Sequence, residues 1–167
     1  VEPPPRVAGE LLMLDIVQAV GKVAFSFAWS GAEMAVVSAH KFGGPKGVGI
    51  LVENGGPKID PLIIGGGQER ERRSGTHNTA GIVAAAVALE LADAERTAEI
   101  ARVSVLRDRL VDGLQASLNG VHETLSRADK VAGSAHVCIE GIESESLLYL
   151  LDEADVCASA ASACASG

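Results

Sequence analysis

The sequence predicts an α/β fold. Short apolar runs at 10–16, 34–38, 48–52 and 135–142 alternate with segments whose apolar residues recur every three or four positions. That is the signature of strands and helices taken in turn. With 47% hydrophobic and 22% charged residues among 167, the chain can build a core for one domain or for parts of two.

Glu10 to Ile16 (ELLMLDI) reads as a buried parallel strand that carries an acid, Asp15, near its C-terminal end. Gln18 follows, then a loop holding Gly21, Trp29 and Gly31. Met34–Ser38 and Val48–Val52 are the next strands, separated by a turn in which Gly43, Gly44, Pro45, Gly47 and Gly49 rule out a regular helix. Residues 53–78 are punctuated by Gly and Pro and then highly charged, and read as one long irregular segment, Glu69 to Arg73 forming a solvated face. A helix starts near Thr79 with Asn78 as its N-cap and Ile82, Ala86 and Leu89 on one face. A second, amphipathic helix carries Ile100, Val103, Leu106, Leu110, Leu114 and Leu118 as its packing face and stops at Asn119-Gly120. The stretch from 95 to 118 is expected to hinge two domains. Ala135–Ile142 reads as a strand, Ser144 opens a helix through Asp152, and Val156–Ala158 reads as a short strand before a loop at Cys164. VEPPP at the start and ASAASACASG at the end both look cut, so the chain reads as an internal piece of something longer.

A net charge of −8 and only 3% aromatic residues argue against nucleic-acid binding. The longest apolar run, Ile82 to Leu89, is too short to span a membrane, and the N-terminal residues lack a signal-peptide pattern. Cys138, Cys157 and Cys164 are an odd set without framework spacing, which points to a reducing cytoplasm. Cys138 and Cys157 read as buried. A zinc site from Cys157, Cys164 and His136 lacks a CxxC pair and is not expected.

Two readings compete for Lys41. It is either a solvated turn lysine, or a lysine desolvated at the mouth of a Gly-rich turn and able to act as a nucleophile. Its companions favour chemistry. Ser38 and His40 are two apart at a strand end, Asp15 ends another strand and Gln18 follows it. Parallel strands bring such C-terminal ends together, where α/β sheets hold ligands. An acid, an amide, a hydroxyl, an imidazole and an amine are together what pyridoxal 5′-phosphate requires.

Four motifs, LDIVQAVGK (14–22), SAHKFGGPKGVG (38–49), GGGQERERRSGTHN (65–78) and ASAASACASG (158–167), occur in one order over almost the whole chain. In them the sequence resembles the NifS/IscS-like cysteine desulfurases, class V aminotransferase-like enzymes that use pyridoxal phosphate. The resemblance implies the type I fold of pyridoxal-phosphate transferases. Residues 1–95 would be the C-terminal part of a large domain with a mainly parallel sheet, and 96–167 a linking helix and partial small α/β domain. It also implies roles. Lys41 carries the cofactor as a Schiff base and later moves the substrate proton, with His40 beside it. Asp15 pairs with the pyridine nitrogen, and Gln18 with the phenolic oxygen. Ser38 and His40 hold the phosphate, joined by Thr76 from the partner of a homodimer. Cys164, in a long mobile loop, takes sulfur from L-cysteine as a persulfide and passes it to an iron–sulfur scaffold or tRNA-thiolation protein, leaving alanine.

Family members have a ring-stacking histidine before the stretch matching residue 1 and a substrate-carboxylate arginine beyond that matching residue 167. Leu14 and Ile16 stand where smaller or polar residues are commoner. Selenocysteine lyase, another class V enzyme, or a non-catalytic piece that dimerises or binds a sulfur acceptor are the alternatives.

Overall fold

The computed structural model describes residues 9–55 and 58–160. The chain divides into two compact units, Val1–Glu99 and Ile100–Gly167.

In the first unit three strands form one sheet in the order β1-β2-β3: β1 Met13–Asp15, β2 Met34–Ser38 and β3 Gly49–Glu53. β1 runs parallel to β2, with Asp15 opposite Val36, and β3 runs antiparallel to β2, with Ser38 opposite Gly49. The described part of the sheet therefore contains one parallel and one antiparallel pairing. Alternation along β2 turns Ala35 and Val37 into the core, where they meet Ile16. Leu14, Val20, Phe42 and Ile50 pack around these three. Between β1 and β2, within the expected loop, lies a single helical turn, α1 Phe27–Ser30. Ser26 Oγ caps it by accepting from Trp29 N–H at 3.3 Å, and Gly31 at φ 70° ends it.

The irregular segment after β3 is pinned rather than loose. Ser74, buried, donates its hydroxyl to Gly66 O at 2.6 Å and its N–H to Ile63 O at 3.2 Å. Gly75 N–H donates to Gln68 Oε1 at 3.1 Å, and Arg72 forms an ion pair with Glu53 at the end of β3. Inside it, α2 Gln68–Glu71 places Glu69, Arg70 and Glu71 at φ 50°, 56° and 65°, a left-handed turn of non-glycine residues.

The two expected helices are one. α3 Thr79–Ser117 runs unbroken for 39 residues, so no interruption separates 89 from 100. Asn78 caps it as expected, its Oδ1 accepting from Gly81 N–H at 3.1 Å. The expected packing face shifts as well. Leu106, Leu110 and Leu118 are about half exposed, whereas Arg107 and Val111 are buried. The inward stripe runs through Val103, Arg107, Val111 and Leu114.

In the second unit β4 Val121–Glu123 pairs antiparallel with β5 Val137–Ile139. β4 was not anticipated, and β5 is shorter than the expected 135–142. A charge cluster ties this hairpin to α3. Lys130 Nζ donates to Glu123 Oε1 at 2.5 Å and to Thr124 O at 3.2 Å. Arg127 reaches Glu123 Oε2 at 2.9 Å, Asp112 at 2.5 Å and Asp108 at 3.2 Å. Lys130 and Arg127, hydrogen-bonded to the Glu123 carboxylate, hold its pKa below the ordinary range.

Two cysteine expectations are corrected. Cys138 is exposed, because in β5 it alternates outward between the half-buried Val137 and Ile139. Cys157 is exposed too, in the irregular chain after α4 Ser144–Glu153; Val156–Ala158 is not a strand. No helix among the described residues is long and apolar enough to cross a membrane.

Candidate active site

The parallel pairing of β1 and β2 ends both strands on the same edge of the sheet, Asp15 on one and Ser38 on the other. Asp15 then shapes its own exit, with Oδ1 accepting from Val17 N–H at 3.0 Å. The chain winds through two tight turns, Ala19 N–H and Val20 N–H donating to Ile16 O and Lys22 N–H to Ala19 O. One such turn stacks residue 22 over residue 18, and Lys22 Nζ donates to Gln18 Oε1 at 2.5 Å.

After β2 the chain enters a 3-10 turn, Ala39–Phe42, that carries His40 and Lys41. Ala39 N–H donates to Val48 O at 3.0 Å and Gly44 N–H to Ala39 O at 2.9 Å, closing the loop onto the start of the next strand. Gly43 at φ 88° turns the chain out. Gly44 is close-packed, since a Cβ there would lie 2.9 Å from Ala39 Cβ. Ser38 Oγ and His40 Nδ1 share a hydrogen bond of 2.8 Å. When Ser38 donates, the imidazole carries its proton on Nε2 and offers it as a donor.

Gly21 brings the two turns together. At φ 74° a Cβ would meet Phe42 Cβ at 3.3 Å and Ala92 Cβ at 3.1 Å, so only glycine lets residues 17–22 lie against the Lys41 turn. As a result, burial first and the Lys41 charge second pull the Lys22 pKa below the ordinary lysine value. Two lysines held within mutual repulsion, beside a hydroxyl–imidazole pair, form a donor set that a bound anion relieves.

The structure thus puts Asp15 at the end of β1 with Gln18 in the turn beyond it, and Ser38 at the end of β2 with His40 and Lys41 in the turn beyond it. Thr76 is exposed on the segment pinned by Ser74, and no bond among the described residues links it to the strand ends. Cys164 lies outside the described residues. His77 pairs with Glu69 at 3.3 Å, and Arg73 donates to Ser74 O at 3.2 Å. Lys22 was missed in the sequence, although its i,i+4 spacing from Gln18 within LDIVQAVGK was visible. Among the described residues no group of three or more His, Cys, Asp or Glu could hold a metal.

The aminotransferase class-V family matches residues 5–167. A cysteine desulfurase of Gluconacetobacter diazotrophicus is 42% identical over 160 residues, covering 96% of this chain and 40% of that protein. The cysteine desulfurase IscS of Methanosarcina thermophila is 44% identical over 154 residues, covering 90% of this chain and 37% of that protein. A solved NifS-like protein superposes with a TM-score of 0.84 at 40% identity, covering 90% of this chain and 41% of that one. The chain therefore spans about 40% of the length of the curated relatives it matches. The fold class expected from the sequence is the fold of these matches. By the extent of its match and the likeness of its fold, the chain belongs to the class V aminotransferase family.

Proposed function

We propose that the protein containing this chain is a pyridoxal-phosphate-dependent cysteine desulfurase that converts L-cysteine to L-alanine and leaves a persulfide on Cys164. The observation that carries this reading is Lys41, half-buried on the turn after β2, next in sequence to the hydrogen-bonded Ser38–His40 pair and close enough to the Lys22–Gln18 pair for its charge to act on Lys22. That donor set fits the cofactor: cationic and hydroxyl groups for its phosphate and phenolic oxygen, an amine for its aldehyde, and Asp15 for its ring nitrogen. When bound, the cofactor supplies an electron sink for bonds at the substrate Cα.

The chain's own residues bind, orient and move protons. One donor of the Ser38–His40 pair would hold a phosphate oxygen, His40 Nε2–H when Ser38 donates to Nδ1 or the Ser38 hydroxyl when Nδ1–H donates to it, and Thr76 adds a hydroxyl from the partner subunit of a homodimer. Gln18 donates to the phenolic oxygen. Lys41 Nζ anchors the cofactor and moves the substrate proton. The Cys164 thiolate would attack the sulfur of the substrate, the S–S bond forming as the substrate Cβ–S bond breaks and leaves its electron pair on the carbon that becomes the methyl of alanine, and would later yield the outer sulfur to an acceptor protein such as an iron–sulfur scaffold or tRNA-thiolation partner. Residues 1–95 serve as the cofactor-binding part, 96–167 as the part presenting Cys164. The free thiols of Cys138 and Cys157 suit a cytoplasmic enzyme.

The test is borohydride reduction of the chain with pyridoxal phosphate, followed by peptide mapping. The expected label falls on Lys41 and disappears in Lys41→Ala; a label that survives this substitution overturns the reading. With cysteine, Cys164→Ser should keep the label but lose the persulfide, whereas Cys157→Ser should keep both. Loss in Cys157→Ser instead would reassign the nucleophile.

A further inference from the structure

Gln18 has an amide with a donor end and an acceptor end, and its surroundings decide which one a ligand meets. Here the acceptor end is occupied. Lys22 Nζ lies 2.5 Å from Gln18 Oε1. A lysine ammonium has three donors and no acceptor, so it can hold only the oxygen; a flipped amide would set donor against donor. The backbone maintains this pairing. Ile16 O takes both the Ala19 and the Val20 N–H, and Lys22 N–H returns to Ala19 O, so positions 18 and 22 stay one turn apart. Gly21 seats this turn against Phe42, the residue after Lys41. The lowered pKa of Lys22, from burial and the Lys41 charge, agrees with that seating.

We propose that Lys22 is a positioning residue of the cofactor site: it grips the carbonyl end of Gln18 so that the N–H2 end alone faces the ligand. The inference rests on the pyridoxal phosphate reading above and adds to it. A Gln18 fixed as donor selects a deprotonated oxygen, the phenolate form of the cofactor's ring hydroxyl, over a protonated hydroxyl seeking an acceptor. Lys22 touches no reacting atom in this role and acts through Gln18.

Two measurements test it on the full chain. The first is the side-chain 15N–1H amide pair of Gln18, identified by its loss in Gln18→Glu. Lys22→Met, of similar length but without a donor, should move this pair toward the position of free glutamine, while Lys22→Arg should restore it. The second compares binding of pyridoxal phosphate with that of its 3-deoxy analogue, which lacks the ring hydroxyl. Lys22→Met should weaken pyridoxal phosphate by roughly five- to tenfold, the effect of one misdirected hydrogen bond. It should leave the analogue unchanged, and Lys22→Arg should recover the loss. An unmoved amide pair overturns the proposal, and so does equal weakening of both compounds. If the unsubstituted chain binds neither compound, the pyridoxal phosphate reading falls with the choice of ligand oxygen, and the Gln18 amide pair still decides whether Lys22 acts as a clamp.

Discussion

Gly44→Ala should disturb the Lys41 turn through a single contact. Gly44 lies outside the left-handed region, so its backbone accepts alanine, and the cost is steric. The new methyl would sit 2.9 Å from both Ala39 Cβ and Ala39 O. Carbon–carbon contacts settle at about 3.5–4.0 Å, so residue 44 and Ala39 must part by roughly 0.6 Å or more. Overpacking of this kind costs about 1–3 kcal/mol. The lower chain entropy of alanine in the unfolded state returns about 0.4–1 kcal/mol, so the net loss falls within roughly 0–2.6 kcal/mol and centres near 1.3 kcal/mol. In urea, with a slope near 2 kcal/mol/M, the midpoint should fall by roughly 0.5–1 M. Ala39 opens the turn that carries Lys41, and sites tolerate only about 0.5 Å of misplacement. Borohydride trapping of pyridoxal phosphate on Lys41 should therefore slow by about tenfold, between the tolerated limit and the hundredfold loss expected for 1 Å. Gly43→Ala is the control. A Cβ there meets nothing within 4 Å, but φ 88° costs an L-residue about 1–2 kcal/mol. It should destabilise by a similar amount while trapping stays near normal. The reasoning is refuted if Gly44→Ala matches the parent chain in both midpoint and trapping rate, or if Gly43→Ala slows trapping equally.

Asn78→Ala removes the cap from α3 and should lower stability by about 0.5–2 kcal/mol, read as a urea midpoint, with Asn78→Asp retaining most of it. Glu123→Gln should reduce stability at neutral pH and flatten the acid limb of the unfolding curve. The folded-state pKa of Glu123 is depressed, chiefly by its hydrogen bond from Lys130 and then that from Arg127. Its contribution is thus fully present above the unfolded value of about 4.3 and is lost as pH falls through the lower folded value. Thermal melts at a series of pH values check the sign; an acid limb unchanged by the substitution would contradict it.

The residues that made the site legible are those whose chemistry is local. β2 was readable to its ends because Met34–Ser38 is bounded by a charged residue and by the Gly-rich turn. Asn78 was readable because a cap is a short-range preference. The unity of α3 was also written in the chain: Ala84–Ala86, Ala88, Ala92, Ala94 and Ala98 are strong helix formers with no glycine or proline among them. Two apolar faces drew attention away from that. Burial was harder to read, because Arg107 enters the interior only by pairing with Asp108 at 2.9 Å, and spacing does not announce such a partner. The outward turn of Cys138 follows from strand alternation once β5 is known to be short. The left-handed run at 69–71 has no signal at all, being Glu-Arg-Glu rather than Gly or Asn. The i,i+4 spacing of Lys22 from Gln18 is written in the sequence, but its nearness to Lys41 depends on Gly21 setting that turn against Phe42.

Apart from Thr76 and Cys164, every group assigned to the candidate site falls between Asp15 and Lys41 along the chain. β1, β2 and β3, which hold those groups, pair between near neighbours in sequence. Loop closure over so short a stretch costs little entropy, and local pairings form early. During synthesis this sheet can leave the ribosome and close before most of α3 has been translated. The Lys22–Lys41 repulsion is then already set up in the nascent chain, so an anion that offsets it acts on folding itself.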